Sequence, residues 1–448
     1  MLDTVYSAKS SQFIYDGSER DSRIEAFLTF ALTALLIFNV LAFGGTHDWT
    51  IAVFELGTGT LVLLWALALF LPGRDSLYLN WSPLYPFLFA FAALVAGQLI
   101  LRSSVYPFAT RVEALRYAAY GFVFFLAQQL LGSSSRLRRF LHGMAWFGFL
   151  LAIEAIAQDF TSNGAIYWHF PRPESGTVYG PYVDHSHYAG LMEMLWPVPA
   201  ILSSQERGAK RGLYAFFGSV MAASIVFSRS RGGSLALVVQ VVFLISQFAK
   251  NRGRGLVLRL SAAIVIAAAF VYWAHPEGLS RTVATLVFPT DATLTGHRLD
   301  IARDSLRMFR EHPIAGWGLE TFPVVYPRFR SFTTTLFINE AHNDYVQLLV
   351  EMGLLGGVIV AAFLISLYRA GFRRMGADDF QRSATLIALT GCTGIVCHSL
   401  TDFNLHIPAN AALFYLYCSI ATLPMNVSED VAMVLPRRPG SVVWIDPA

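Results

Sequence analysis

Where long apolar runs begin, this sequence places ionisable side chains that could do chemistry. In NEAHNDYVQLLVEMG, residues 339–353, His342, Asn343, Asp344, Gln347 and Glu351 precede an apolar stretch that ends near Tyr368. The spacing predicts a helix starting near residues 339–341, with Asp344, Gln347 and Glu351 on one stripe and His342 and Tyr345 on another face. A neutral imidazole in the first turn can accept a proton, so His342 is a candidate general base. Tyr345, on the same face, is a candidate substrate contact. For Asp344, Gln347 and Glu351 two readings stand together: bracing between helices, or a part in the site. Glu340 and Asp344 are the carboxylates nearest to His342 in sequence.

Other candidates bind rather than react. FSRSRGGSLAL, residues 227–237, carries Arg229 and Arg231 ahead of two glycines that permit close backbone approach. A guanidinium is a planar fork matched to phosphate oxygens, which makes this turn a candidate anion site, with either arginine able to point inward. Arg298, in TGHRLD, opens an expected amphipathic helix and could meet the same anion. Leu299, Ala302, Leu306 and Phe309 form that helix's expected packed face, while Arg303, Arg307 and Arg310 form a solvated or headgroup-facing one. His185 and His187 form an H-x-H pair without a carboxylate-rich partner motif, so no metal is expected and both are candidate rim or substrate contacts. Asp402, in HSLTDFNLHIP, reads either as a brace or as a substrate contact. The chain has no Walker A loop, dinucleotide fingerprint or zincin motif, which argues against nucleotide-driven chemistry.

The elements that must hold these residues are membrane helices. Of the 448 residues 55% are hydrophobic and only 14% charged, well short of the quarter expected in a soluble domain. About twelve stretches approach the roughly 20 apolar residues that span a bilayer. They lie near residues 26–44, 51–72, 83–101, 113–132, 140–159, 188–203, 212–228, 232–249, 256–274, 343–368, 383–399 and 407–424. The expected organisation is nine spans in residues 1–274, a large loop in 275–341, three spans in 342–424 and a tail in 425–448. Loops such as SSSRLRR, SQERGAKRG and KNRGRG are short and basic, which places them and both termini in the cytoplasm. Arg229, Arg231 and the arginines of the large loop then lie outside, against the usual charge bias, as an anionic ligand on the outer face would require. The expected fold is an all-α polytopic membrane protein whose large outer loop contains amphipathic helices.

In chain order, YGPYVDHSHYAGLMEM, SRSRGG, GHRLDIARDSLRMFREHPIAGWGLETF, HNDYVQLLVEMGLLG and HSLTDFNLHIPANA resemble the bacterial O-antigen ligase family. Its superfamily also holds O-antigen and exopolysaccharide polymerases and pilin-type oligosaccharyltransferases. The resemblance spans roughly residues 175–415 and implies a GT-C-like, inverting, metal-independent glycosyltransferase without cofactor. It implies work on the periplasmic face of the inner membrane, in lipopolysaccharide biosynthesis. The implied donor is a glycan on undecaprenyl pyrophosphate, and the implied acceptor is a lipid A-core sugar hydroxyl. Membrane lipids would surround both, and neither nucleic acid nor nucleotide takes part. His342 occupies the position expected of the catalytic base. Arg229, Arg231 and Arg298 occupy those expected to bind pyrophosphate. A polymerase or a protein O-oligosaccharyltransferase would need the same leaving-group chemistry. A transporter of anionic lipid is the non-enzyme alternative, but it would place charges at mid-membrane and show internal repeats.

Overall fold

The computed structural model describes residues 18–70, 77–171, 177–249, 297–335, 337–376, 379–424 and 432–435. Within them the chain is mostly helical, as an apolar surround demands of a backbone that cannot bond to water. The helices are α1 (Ser18–Leu41), α2 (Asp48–Ala68), α3 (Tyr85–Ile100), α4 (Pro107–Leu130), α5 (Ser134–Thr161), α6 (His185–Leu195), α7 (Pro197–Gln205), α8 (Gly208–Phe227) and α9 (Arg231–Ala249). A cap helix, Arg298–Glu311, precedes a long helix, Asp344–Arg374, and the helices Asp379–His398 and Pro408–Ala421 follow. Two short strands, Leu77–Asn80 and Ala432–Leu435, pair antiparallel, with Leu77 opposite Leu435.

Among the described residues four helices are long and apolar enough to cross a membrane: Arg23–Leu41, Asp48–Ala68, Ser134–Thr161 and Asp344–Arg374. Tyr85–Ile100 and Arg231–Gln247 are apolar but shorter. Two others among the twelve expected spans fall short for identifiable reasons. α4 carries Arg111, Glu113 and Arg116 in its first half, and the stretch at 188–203 is two helices, parted at Trp196 before Pro197. The span at 256–274 and the loop residues 275–296 lie outside the described residues. Phe30 of α1 and Leu56 and Leu63 of α2 face outward, a pattern suited to lipid and hazardous in water. Inside, amides tie the helices together: Gln240 of α9 donates to the carbonyls of Glu193 and Thr390 at 2.7 and 2.8 Å.

Two expectations for the segments that hold the site need correction. The long helix is not continuous: Gly353 (φ 63°, ψ −165°) breaks it two turns in. The GWGLE turn fills the gap. Trp317 and Gly318 donate their N–H groups to the carbonyls of Val350 and Glu351 at 3.0 Å each, and Leu354 and Leu355 donate to Pro313 and Ile314 at 2.8 and 3.1 Å. Gln98 of α3 completes the junction, donating to Ala315 and Glu351 carbonyls and accepting from Leu319 N–H. Gly353 has no substitute here, because a Cβ would run into the Ile314 carbonyl.

The cap helix also packs on a different face. Its buried residues are Ile301, Asp304, Ser305 and Met308, whereas Leu299 and Leu306 are 71% and 45% exposed. Asp304 explains the choice. Its carboxylate gathers the next segment by accepting from Ser331 N–H at 2.9 Å and from the Ser331 hydroxyl at 3.0 Å. Ile301 and Met308 join Trp317, Phe322, Tyr326 and Val350 in a small core that seats the cap on the long helix.

Candidate active site

The site begins at a helix cap. Asn343, not a residue of NEAH, starts the long helix: its Oδ1 accepts from the N–H groups of Tyr345 and Val346 at 3.0 Å, and its Nδ2 donates to the Leu400 carbonyl at 2.7 Å. His342 therefore stands before the helix rather than in its first turn, with a left-handed backbone (φ 51°) rare for a non-glycine residue. The cap's bond to Leu400 brings the 398–406 turn underneath.

On that turn Asp402 is the partner of His342. Its Oδ1 lies 3.5 Å from His342 Nδ1 and accepts from Phe403 N–H at 3.0 Å. Its Oδ2 lies 3.8 Å from Arg298 Nη2. Burial would raise the Asp402 pKa, but the His342 hydrogen bond and the charges of His187 and Arg298 outweigh it and hold the carboxyl well below the usual range. Arg298 is fixed by a 2.7 Å bond from Nη1 to the Thr401 carbonyl. The Phe403 ring fills the space between two histidines, its centroid 5.0 Å from that of His342 and 4.6 Å from that of His187.

The two arginines of the SRSRGG turn part company. Arg229 donates to Asp159 of α5 at 2.7 Å and is half exposed. Arg231 lies near enough to Arg298 for the two charges to repel. The glycine after it is pressed onto the same 398–402 turn, since a Cβ on Gly232 would meet the His398 ring and Thr401 Oγ1. Arg231, Arg298, Asp402 and His342 are thus neighbours through one short turn. His185 and His187 diverge, as residues two apart on a helix must. His185 sits 3.6 Å from Asp184, whereas His187 is buried against Phe403. Tyr345 turns away, donating its hydroxyl to the Val396 carbonyl at 2.7 Å.

A second polar cluster lies behind the first. Asp344 accepts from the Ser399 hydroxyl at 2.6 Å and from Leu405 N–H at 3.2 Å, and its Oδ1 is 2.8 Å from His406 Nδ1. Glu340 accepts from Gln347. Glu351 spends both oxygens on the backbone N–H groups of Glu320 and Phe322, at 2.9 and 3.1 Å. Among the described residues Glu320, Glu351 and His406 each bring one atom that could ligate a metal, all within 4.8 Å of one another. The bonds already made to Glu351 and His406 fit a brace between the long helix, the cap and the 398–406 turn. Asp344, Glu351 and His406 also form the polar wall of a mostly apolar cavity of about 660 Å³ between α3, α4 and the long helix.

Sequence reasoning missed Glu193, His398 and His406. The signal was present as ionisable residues four apart (398, 402 and 406) at the end of an apolar run, with a lone glutamate inside LMEMLWP. No curated protein matches the chain. A protein-family model described as O-antigen ligase matches residues 216–361, which include Arg229, Arg231, Arg298 and His342. That match supports the chain's place in the O-antigen ligase/polymerase superfamily, whose members are glycosyltransferase-like enzymes of membranes acting on lipid-linked glycans.

Proposed function

We propose that this chain is an O-antigen ligase of the bacterial inner membrane, with its site on the periplasmic face. It transfers a glycan from undecaprenyl pyrophosphate to a sugar hydroxyl of lipid A-core. The observation that carries this reading is the row His342–Asp402–Arg298–Arg231, a base, a carboxylate and two cations around one turn. Asp402 faces Nδ1 of His342, which leaves Nε2 for the acceptor hydroxyl. That hydroxyl attacks the anomeric carbon as Nε2 takes its proton. The bond from the anomeric carbon to the pyrophosphate oxygen breaks on the opposite side, and the configuration inverts. Asp402 steadies the imidazolium that forms. Arg231 and Arg298 neutralise the departing pyrophosphate, a role that fixed guanidiniums can fill without a divalent ion. Arg229, engaged with Asp159, has a lesser part.

The test supplies the purified protein with lipid-linked glycan and either lipid A-core or a second lipid-linked glycan as acceptor. Glycan should appear on lipid A-core, and His342→Ala should lower turnover by roughly 10²-fold or more while donor binding persists. Transfer solely onto a second lipid-linked glycan would make the protein a polymerase. Full turnover in His342→Ala would remove the base assignment.

A further inference from the structure

One buried ion pair touches the arginine turn without belonging to the row described above. Glu193 of α6 and His398, the last residue of the helix Asp379–His398, are 0% and 1% exposed, and Glu193 Oε1 lies 2.7 Å from His398 Nδ1. The other ring nitrogen, Nε2, lies 3.5 Å from the hydroxyl of Ser230, which also accepts from Gly233 N–H at 3.0 Å and donates to Ser186 at 3.3 Å. The ring thus ends on the two residues that flank Arg231: Ser230 before it and, by close packing, Gly232 after it. The main chain of the same histidine shapes the opposite side of the site. Its carbonyl accepts from the N–H groups of Thr401 and Asp402 at 2.9 and 3.1 Å, and from the Thr401 hydroxyl at 3.1 Å. The Thr401 carbonyl in turn holds Arg298.

We propose that Glu193 and His398 are positioning residues for the donor pyrophosphate, a strut that holds the Arg231 turn against the Asp402 turn and fixes Arg231 relative to Arg298. This rests on the transfer reaction proposed above. The physical case is the cost of the arrangement. Two guanidiniums within repelling distance oppose being held together, and the first turn of α9, where the Ser230 hydroxyl accepts from Gly233 N–H and Gly232 packs on His398, is what holds Arg231 in place. A buried ion pair is a poor way to glue helices, since apolar packing of the same volume does as well or better. It is a good way to fix a geometry, because both partners must be met at definite angles. The strut keeps the dication assembled before the donor arrives, so binding does not have to organise it.

The experiment uses the full chain in lipid nanodiscs, with undecaprenyl pyrophosphate as the binding probe and steady-state transfer as the second readout. Glu193→Gln keeps the shape and an acceptor oxygen but removes the charge. Ser230→Ala removes the far end of the strut and leaves the ion pair intact. Both should weaken undecaprenyl pyrophosphate by about tenfold and raise the donor KM by a similar factor, with the acceptor KM within about twofold of wild type. A residue that merely stabilised the bundle would lower the yield of active protein and leave both KM values alone. Wild-type donor affinity in the two variants, or a fall in kcat without a change in donor KM, would overturn the inference and leave the functional reading standing. A wild-type protein that neither binds the probe nor transfers glycan would overturn both.

Discussion

At the scale of single residues, the functional reading turns on a pair whose members lie 60 positions apart, His342 and Asp402. Each was visible in the sequence as an ionisable group at the end of an apolar run, but their pairing was not. It depends on Asn343 reaching the Leu400 carbonyl, a contact with no local pattern. If Asp402 orients the base, Asp402→Asn should lower kcat by roughly tenfold or more and leave the donor KM within a small factor, because an amide keeps the volume but not the charge. Steady-state kinetics with the donor varied at saturating acceptor would check this. An equal rise in donor KM would instead make Asp402 part of the anion site, through its contact with Arg298. The arginines show the same division between what sequence reveals and what it hides. Their type and location outside the spans pointed to an anion, but neither the 2.7 Å contact of Arg229 with Asp159 nor the nearness of Arg231 to Arg298 has a local pattern.

At the scale of elements, hydropathy reads long helices well and their interruptions badly. The run from Asp344 to Arg374 is apolar enough to predict one span, and nothing in GLLGG marks which glycine breaks it. The break at Gly353 exposes backbone groups that residues 313–318 and Gln98 satisfy, so the helix and the cap depend on each other. Gly353→Ala should therefore be costly twice over. It forces a side chain into a left-handed backbone, at about 1–2 kcal/mol, and drives the Cβ against the Ile314 carbonyl. Gly143→Ala in α5 is the matched control, since a Cβ there meets nothing within 4 Å and alanine favours a helix. Thermal unfolding in detergent should show a clear loss for the first and no loss for the second. Equal midpoints for the two variants would mean that the junction carries little of the stability. The misread face of the cap helix has the same origin: a pattern of apolar residues cannot show that Asp304 is wanted inside by Ser331.

At the scale of the whole molecule, the charges behind the site join parts of the chain that are distant in sequence, and their titration gives the fold a pH dependence of definite sign. Glu340, in the segment before the long helix, is pushed by burial from 4.5 up to about 8, against the opposing pull of His406. A carboxyl whose pKa is raised on folding binds its proton more tightly in the folded state, so it lowers stability as pH rises between those two values. His406, on the turn before Pro408, is shifted upward despite its burial by Glu340, by its bond to Asp344 and by Glu320. A histidine raised above 6.5 contributes stability that is complete below that value and is lost as pH passes through its folded pKa. The two effects point the same way, so the midpoint of thermal unfolding should fall as pH is taken from about 5 to about 8. Glu340→Gln keeps a partner for Gln347 but removes the titrating group. Its unfolding midpoint should change less across that interval than that of wild type. Because these groups are buried, added salt should alter the slope little, whereas a slope arising from surface charges would flatten. A Glu340→Gln protein with the wild-type slope would place the pH dependence elsewhere and leave the cluster as a set of hydrogen bonds alone.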